Sequence, residues 1–251
     1  MEKSIFVFSS GNNKGFHVIM KPRYTNIVNP LMGHTGNVIY RTVINGMLIK
    51  VKETPTSISL HYGEGAITQA SILKNYPERL QYDYARHLVQ VVNHVESPSR
   101  ALVLGLGGGV IPTWLHQNTK CQIDVVDIIP DLKDIAEKYF KMPSDNRIKV
   151  ITEDAYHFVQ DTLLTGIYDI IIVDVCDDTR IENKFISPKF YEGLKSILTP
   201  KGRVAINYFV APQTYDDYMI GLKDAFTNVV EQYKNLEGGK NHITICNDNT
   251  I

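Results

Sequence analysis

The sequence predicts an α/β fold: a mostly parallel, doubly wound sheet preceded by a small β-rich region. Three observations carry this. Short apolar runs alternate with helical stripes through the last two thirds of the chain. A glycine-rich turn follows the apolar run Leu102-Val-Leu104 at once and leads into a helix-like stretch. Acidic residues then recur at the ends of the later apolar runs. The boundary falls near residue 75, giving a β-rich part over 1–75 and a Rossmann-like part over 76–251.

In the first part, Ile5 to Phe8, Phe16 to Met20, Val38 to Val43, Met47 to Val51 and Ser57 to His61 are apolar or alternating runs. Glycine, asparagine and proline separate them, and Asn45-Gly46 is a hairpin signal. Pro77-Glu78 suits the first turn of a helix, with Leu80, Tyr84, Leu88, Val91, Val92 and Val95 as its apolar stripe and Ser97-Pro98 as its stop. After the strand 102–104 and its glycines, Ile111 to Leu115 begins a helix. Cys121 to Val126 is a strand ending at Asp127. Leu132, Ile135, Ala136 and Tyr139 then line a helix that starts from Asp131.

Ile148 to Ile151 is a third strand, ending in Glu153-Asp154-Ala155, and a short helix with Phe158 and Leu163 follows. Ile170, Ile171, Ile172 and Val173 are consecutive β-branched residues, as in a strand buried on both faces. That strand opens into the acidic loop Asp174-Val-Cys-Asp-Asp178. Phe190, Leu194, Ile197 and Leu198 line the next helix, and Val204 to Phe209 is the fifth strand. A helix from about Thr214 to Phe226 and strands near Val229 to Tyr233 and His242 to Cys246 close the chain, the last pair adding an antiparallel strand.

In a doubly wound sheet the ligand lies at the carboxyl ends of the strands. Here those ends carry Gly105, Gly107, Gly108 and Gly109, then Asp127, then Asp154, then Asp174 with Asp177 and Asp178. A dinucleotide fingerprint starting at Gly105 and Gly107 would need its third glycine at position 110, which is Val110. Glycines plus an acid at the second strand tip suit an adenosine-bearing ligand without a pyrophosphate, such as S-adenosylmethionine. Carboxylates crowded into one crevice repel unless a cation sits between them, so a sulfonium or a cationic amine is the expected guest. An amine must lose a proton before it attacks carbon, and a carboxylate can accept it.

Bulk properties narrow the function. At 251 residues and a net charge of −1, with no long run of either sign, nothing favours nucleic acid or an anionic membrane. Three cysteines without metal-type spacing suit a reducing compartment. The N-terminal apolar run is too short for a signal peptide, and no stretch approaches transmembrane length, so a cytoplasmic protein is expected. Metal catalysis is not expected, because the eight histidines show no ligand spacing; His87 and His94 are seven residues apart. No G-x-S-x-G elbow is present, and Trp114 reads as core.

From about Gly63 to Phe209 the chain resembles the spermidine synthase (polyamine aminopropyltransferase) family and its methyltransferase-like relatives. The segments that carry the resemblance are Pro77-Glu-Arg-Leu-Gln-Tyr-Asp-Tyr84, Leu104-Gly-Leu-Gly-Gly-Gly109, Val125-Val-Asp-Ile-Ile-Pro-Asp131, Glu153-Asp-Ala155 and Ile172-Val-Asp-Val-Cys-Asp177. The resemblance implies a seven-stranded methyltransferase-type sheet, a small N-terminal β domain, a homodimer or higher homo-oligomer, and no metal. It implies aminopropyl transfer from decarboxylated S-adenosylmethionine to a polyamine amine. Carried onto this chain, Asp127, with Ile128 beside it, binds the ribose side. Asp154, with Ala155, reads the adenine amino group, and Gln69 packs by the nucleoside. Asp174 and Asp177 are the D-x-x-D pair, Asp174 activating the amine, with Asp178 beside them. Tyr82 lines the amine pocket.

Two positions depart from that pattern. Aminopropyltransferases carry an aspartate, which holds the donor's amine, where this chain has Gly108. The residue after the pocket tyrosine is usually glutamine or histidine, and here it is Asp83, a carboxylate able to supply the missing charge. An aspartate at 108 would repel the carboxylate of intact S-adenosylmethionine, whereas glycine would not. A second reading therefore stands beside the first: methyl or aminocarboxypropyl transfer from the intact donor to an amine or a protein lysine, to which Asn207 on the fifth strand also points. A third is a nucleoside-binding scaffold without catalysis.

Overall fold

A computed structural model describes residues 36–64, 68–175, 182–209, 215–234 and 241–248. The expected strands Ile5 to Phe8 and Phe16 to Met20 lie outside the described residues. The architecture is α/β, with a seven-stranded sheet and a separate four-stranded antiparallel sheet.

The small sheet runs in chain order through β1 (Asn37–Ile44), β2 (Met47–Glu53), β3 (Ser57–Tyr62) and β4 (Thr68–Leu73). Asn45 and Gly46 turn β1 into β2 with φ of +50° and +81°, the left-handed pair that a tight hairpin needs. The sequence gives no clear sign of β4. Its run Thr68-Gln-Ala-Ser-Ile-Leu73 is mostly small or polar, yet Ala70 and Ile72 alternate inward and are buried.

The helix expected from Pro77 begins later, as α1 (Asp83–Leu88), and continues as a 3₁₀ helix over Val89–His94. The reason is local. Arg86 Nη1 donates to the carbonyls of Leu80 and Gln81 at 2.7 and 3.2 Å, so those carbonyls serve a side chain rather than a helical N–H. Leu80, Leu88 and Val91 are buried as the stripe requires.

The large sheet is built from β5 (Arg100–Leu104), β6 (Gln122–Asp127), β7 (Ile148–Thr152), β8 (Tyr168–Val173), β9 (Leu198–Phe209), β10 (Asn228–Lys234) and β11 (Asn241–Asn247). Its order is β10-β11-β9-β8-β5-β6-β7. The pairs from β9 to β7 are parallel, and β11 is antiparallel to both β9 and β10. Between them run α2 (Val110–Asn118), α3 (Leu132–Phe140), α4 (Ala155–Phe158), α5 (Pro188–Ile197) and α6 (Tyr215–Ala225). Leu163, expected to line a helix with Phe158, instead stands in a 3₁₀ turn and is 88% exposed. The chain fills the sheet from β5 outward to β7, then returns to place β8 on the other side of β5. The crevice at that reversal lies above the carboxyl ends of β5 and β8.

Alternation along the central strands assigns the core to two layers. Ala101 and Val103 of β5 and Ile170 and Ile172 of β8 pack with Ile49, Leu60 and Ala70 of the small sheet and with Leu88, Ile111 and Phe140. Leu102, Leu104, Ile171 and Val173 face the other way, toward Phe190, Tyr191, Leu194, Tyr208, Tyr218 and Leu222. The small sheet thus shares an apolar cluster with the strands that carry the glycine turn. Under the sheet, the buried carboxylate of Asp124 accepts from Tyr168 Oη at 2.9 Å and from Arg100 Nε and Nη2 at 3.1 and 2.8 Å. Tyr168→Phe removes one donor from that buried acid, and chemical denaturation should register a loss of about 1–3 kcal/mol. An unchanged midpoint would show that Arg100 alone satisfies Asp124.

Candidate functional site

The cleft at the reversal is lined by the glycine turn, the tips of β6, β7 and β8, and the edge of the small sheet. Its floor is the turn from β5 into α2. Gly105 has φ of +97°, and a Cβ there would overlap the carbonyl oxygen of Asp174. The two backbones are tied together, since Asp174 N donates to Leu104 O at 2.9 Å. Only glycine meets both conditions. Gly107 faces open space: a Cβ there would have no neighbour within 4 Å. Gly108 is the opposite case, since a Cβ would lie 2.6 Å from Ala70 Cβ and 3.0 Å from a ring carbon of Phe140. Gly109 caps α2.

Asp127 ends β6 beside this turn. Its Oδ2 accepts from Leu106 N at 2.7 Å and its Oδ1 from Ile129 N at 2.8 Å, so the carboxylate braces the turn from within. Burial raises its pKa above the ordinary aspartate value, against the pull of the Ile129, Leu106 and Gly107 N–H groups. Ile128, next in the chain, lines the cleft with its side chain 59% exposed to solvent.

Asp154, at the tip of β7, caps α4 by accepting from Tyr156 N at 2.8 Å. Its other oxygen takes Lys184 Nζ at 2.9 Å. Burial works against its charge, but the Lys184 ammonium and the Tyr156 N–H outweigh it and hold the carboxyl below the usual range. Ala155 lines the cleft beside it.

Asp174 stands at the tip of β8. Its Oδ1 accepts from Asn207 Nδ2 on β9 at 2.8 Å, and Tyr84 on α1 also hydrogen-bonds its carboxylate. Burial pushes its pKa up to about 6, while those two bonds favour the ionised form. A carboxylate so placed is charged at neutral pH and basic enough to take a proton.

Of the residues singled out in the sequence, Gln69, Gly105, Gly107, Gly108, Asp127, Ile128, Asp154, Ala155 and Asp174 converge on the cleft. Gly109 lies at the start of α2, beside the floor. Tyr82 and Asp83 do not line it. Tyr82 precedes α1, its ring stacked on Tyr84 at 5.9 Å between centroids, so Tyr84 is the tyrosine that reaches Asp174. Asp83 is exposed on the first turn of α1 and forms an ion pair with Arg86. Asp177 and Asp178 lie outside the described residues. Sequence reasoning missed Tyr84, read as part of an apolar stripe, because the helix begins six residues later than its proline suggests. It also missed Lys184 and Glu182, which stand in an unremarkable polar stretch. Among the described residues, no group of three or more histidine, cysteine or acidic side chains could hold a metal ion. No helix among them is long and apolar enough to cross a membrane.

A seven-stranded sheet of this order, with acids at successive strand tips around a glycine turn, is of the methyltransferase type. A family profile for the spermine/spermidine synthase domain matches residues 82–234, and the chain belongs to that family. A polyamine aminopropyltransferase of Pyrobaculum islandicum is 27% identical over 230 residues, spanning 85% of this chain and 78% of the relative. The crystal structure of human methyltransferase-like protein 13 in complex with SAH superposes with a TM-score of 0.61 at 27% identity, covering 67% of this chain and 83% of that one. A probable spermidine synthase from Corynebacterium glutamicum has a TM-score of 0.74 at 16% identity, covering 86% of this chain and 82% of that one, and shows the shared fold.

The close contact at Gly108 makes a direct prediction. Gly108→Ala should cost about 1–3 kcal/mol by overpacking, and adding Ala70→Gly should restore part of it. Additive losses in that double-mutant cycle, measured by denaturation, would mean the two positions do not touch.

Proposed function

We propose that this chain is a transferase that alkylates an amine nitrogen, using an S-adenosylmethionine-type sulfonium donor, with Asp174 receiving the amine's proton. The observation that carries this is the state of Asp174: a cleft carboxylate, held by Asn207 and Tyr84, with its pKa pushed up to about 6.

The residues present fit such a donor. The backbone at Gly107 is open to a ligand, and the carboxylates of Asp127 and Asp154 stand at the two neighbouring strand tips. Asp127 has lone pairs left for ribose hydroxyls after bracing the turn. Asp154 can receive a base amino group, and Ile128 offers an apolar surface to the base. The donor, when bound, supplies a carbon made electrophilic by a sulfonium that departs as a neutral thioether. Asp174 orients the acceptor amine and takes its proton as the nitrogen gains its bond to carbon. Asn207 and Tyr84 hold that carboxylate in one position, so the reacting atoms need little reorganisation. The acidic lining favours cationic guests at both ends of the cleft.

The donor this geometry supports best is intact S-adenosylmethionine, which makes the reaction a methyl transfer, with aminocarboxypropyl transfer as its variant. At 108 there is no carboxylate to hold a free aminopropyl amine, and Ala70 leaves no room for one. Asp83, the candidate substitute, is paired with Arg86 away from the cleft lining. The likeness to human methyltransferase-like protein 13 in complex with SAH supports this reading. Aminopropyl transfer from the decarboxylated donor to a polyamine remains the second reading, favoured by the P. islandicum relative's name and by the acidic lining.

The mass of the product amine after incubation with each donor identifies the group transferred. Asp174→Asn should lower kcat/KM by roughly 10²-fold or more, with donor affinity nearly unchanged. Because the ionised form is the base, the wild-type rate should rise with pH through about 6 and then level off, and the variant should lose that step. Full activity in Asp174→Asn would remove Asp174 from the chemistry.

A further inference from the structure

Among the described residues lining the cleft there are four carboxylates, Asp127, Asp154, Asp174 and Glu182, and one cationic side chain, Lys184. Lys184 sits on a 3₁₀ turn, Asn183–Ile186, and reaches back across the cleft to the tip of β7. Its Nζ lies 2.9 Å from Asp154 Oδ2 and 3.2 Å from Glu182 Oε2. Since Asp154 Oδ1 already serves Tyr156 N, both oxygens of this carboxylate have a donor.

We propose that Lys184 is an internal competitor for the base end of the cleft, occupying on Asp154 the place that the amino group of a bound adenine takes. The proposal rests on the nucleoside reading above and adds to it the residue that sets base affinity. An ammonium is a stronger partner for a carboxylate than a neutral amino group is, so the base must displace Lys184 or share Asp154 with it. Glu182 makes displacement inexpensive: it already contacts the same ammonium and retains it when Asp154 is taken. Lys184 is 31% exposed in its side chain and has solvent to move into. The Lys184 ammonium offsets repulsion among the carboxylates that line the cleft. It also lowers affinity for every adenosine-bearing ligand, spent product included, which favours turnover.

The test is calorimetric binding of adenosine and of inosine to the wild-type chain and to Lys184→Met. Adenosine presents an amino group to Asp154, whereas inosine presents an oxo group that accepts. Adenosine should bind Lys184→Met roughly two- to fivefold more tightly than wild type, the range for a partly exposed ion pair. Inosine should gain nothing. Raising the ionic strength should tighten adenosine binding to wild type, by screening the ion pair, and leave the variant unaffected. Should Lys184→Met fold poorly, Lys184→Gln and the wild-type salt response carry the same test. Equal or weaker adenosine binding in the variants, or no wild-type salt response, would overturn the competition while leaving the nucleoside site standing. Adenosine binding to none of the proteins would overturn the nucleoside reading itself, and the competition with it.

Discussion

The glycine turn after β5 is gripped from two sides, and the rest of the site follows from that grip. On one side the backbone of Gly105 lies against the carbonyl of Asp174, with Asp174 N bonded to Leu104 O at 2.9 Å. On the other, Gly108 lies against Ala70 of the small sheet and Phe140 of α3. Asp127 completes the hold by accepting from Leu106 N and Ile129 N. The first contact fixes where the Asp174 carboxylate starts from. The second closes position 108 to any side chain. What stays open is Gly107, where an added Cβ would meet nothing within 4 Å. The small sheet is therefore more than an appendage, because through Ala70 it shapes the floor of the cleft on the large one.

The electrostatics of the cleft have a division of labour. Asp154 is held below the usual carboxylate range by Lys184 and Tyr156 N against the cost of burial, whereas burial pushes Asp174 up to about 6. The two acids are of the same residue type and stand at two strand tips of one sheet, yet one has its pKa lowered and the other has its pKa raised. Their environments differ in burial and in partners: Asp174 is the more deeply buried and has the neutral donors Asn207 and Tyr84, whereas Asp154 has an ammonium and a backbone N–H beside it.

Much of this was legible in the residues themselves. The run Leu102-Val-Leu104, the glycines behind it and the acids at positions 127, 154 and 174 fix strand, turn and ligand edge, since each signal is local in the chain. The residues that escaped are those whose placement is decided at a distance. Tyr84 looks like one more apolar stripe residue until Arg86 takes the carbonyls of Leu80 and Gln81 and delays the helix. Lys184 is one lysine among many until the fold brings it to Asp154, 30 residues away in sequence. Ala70 gains its meaning only from packing on Gly108, and strand β4 itself carries too few β-branched residues to announce a strand. Asp83 shows the converse: its position beside the pocket tyrosine suggests a role in the cleft, and the ion pair with Arg86 turns it elsewhere.

On the proposed reading, the closed position 108 selects the intact donor. Side-by-side calorimetry of intact and decarboxylated S-adenosylmethionine on the unaltered chain tests it most directly. Tighter binding of the intact form is expected, because its carboxylate meets no opposing carboxylate at position 108. Tighter binding of the decarboxylated form would contradict it, and would show that some other acid of the cleft holds the aminopropyl amine.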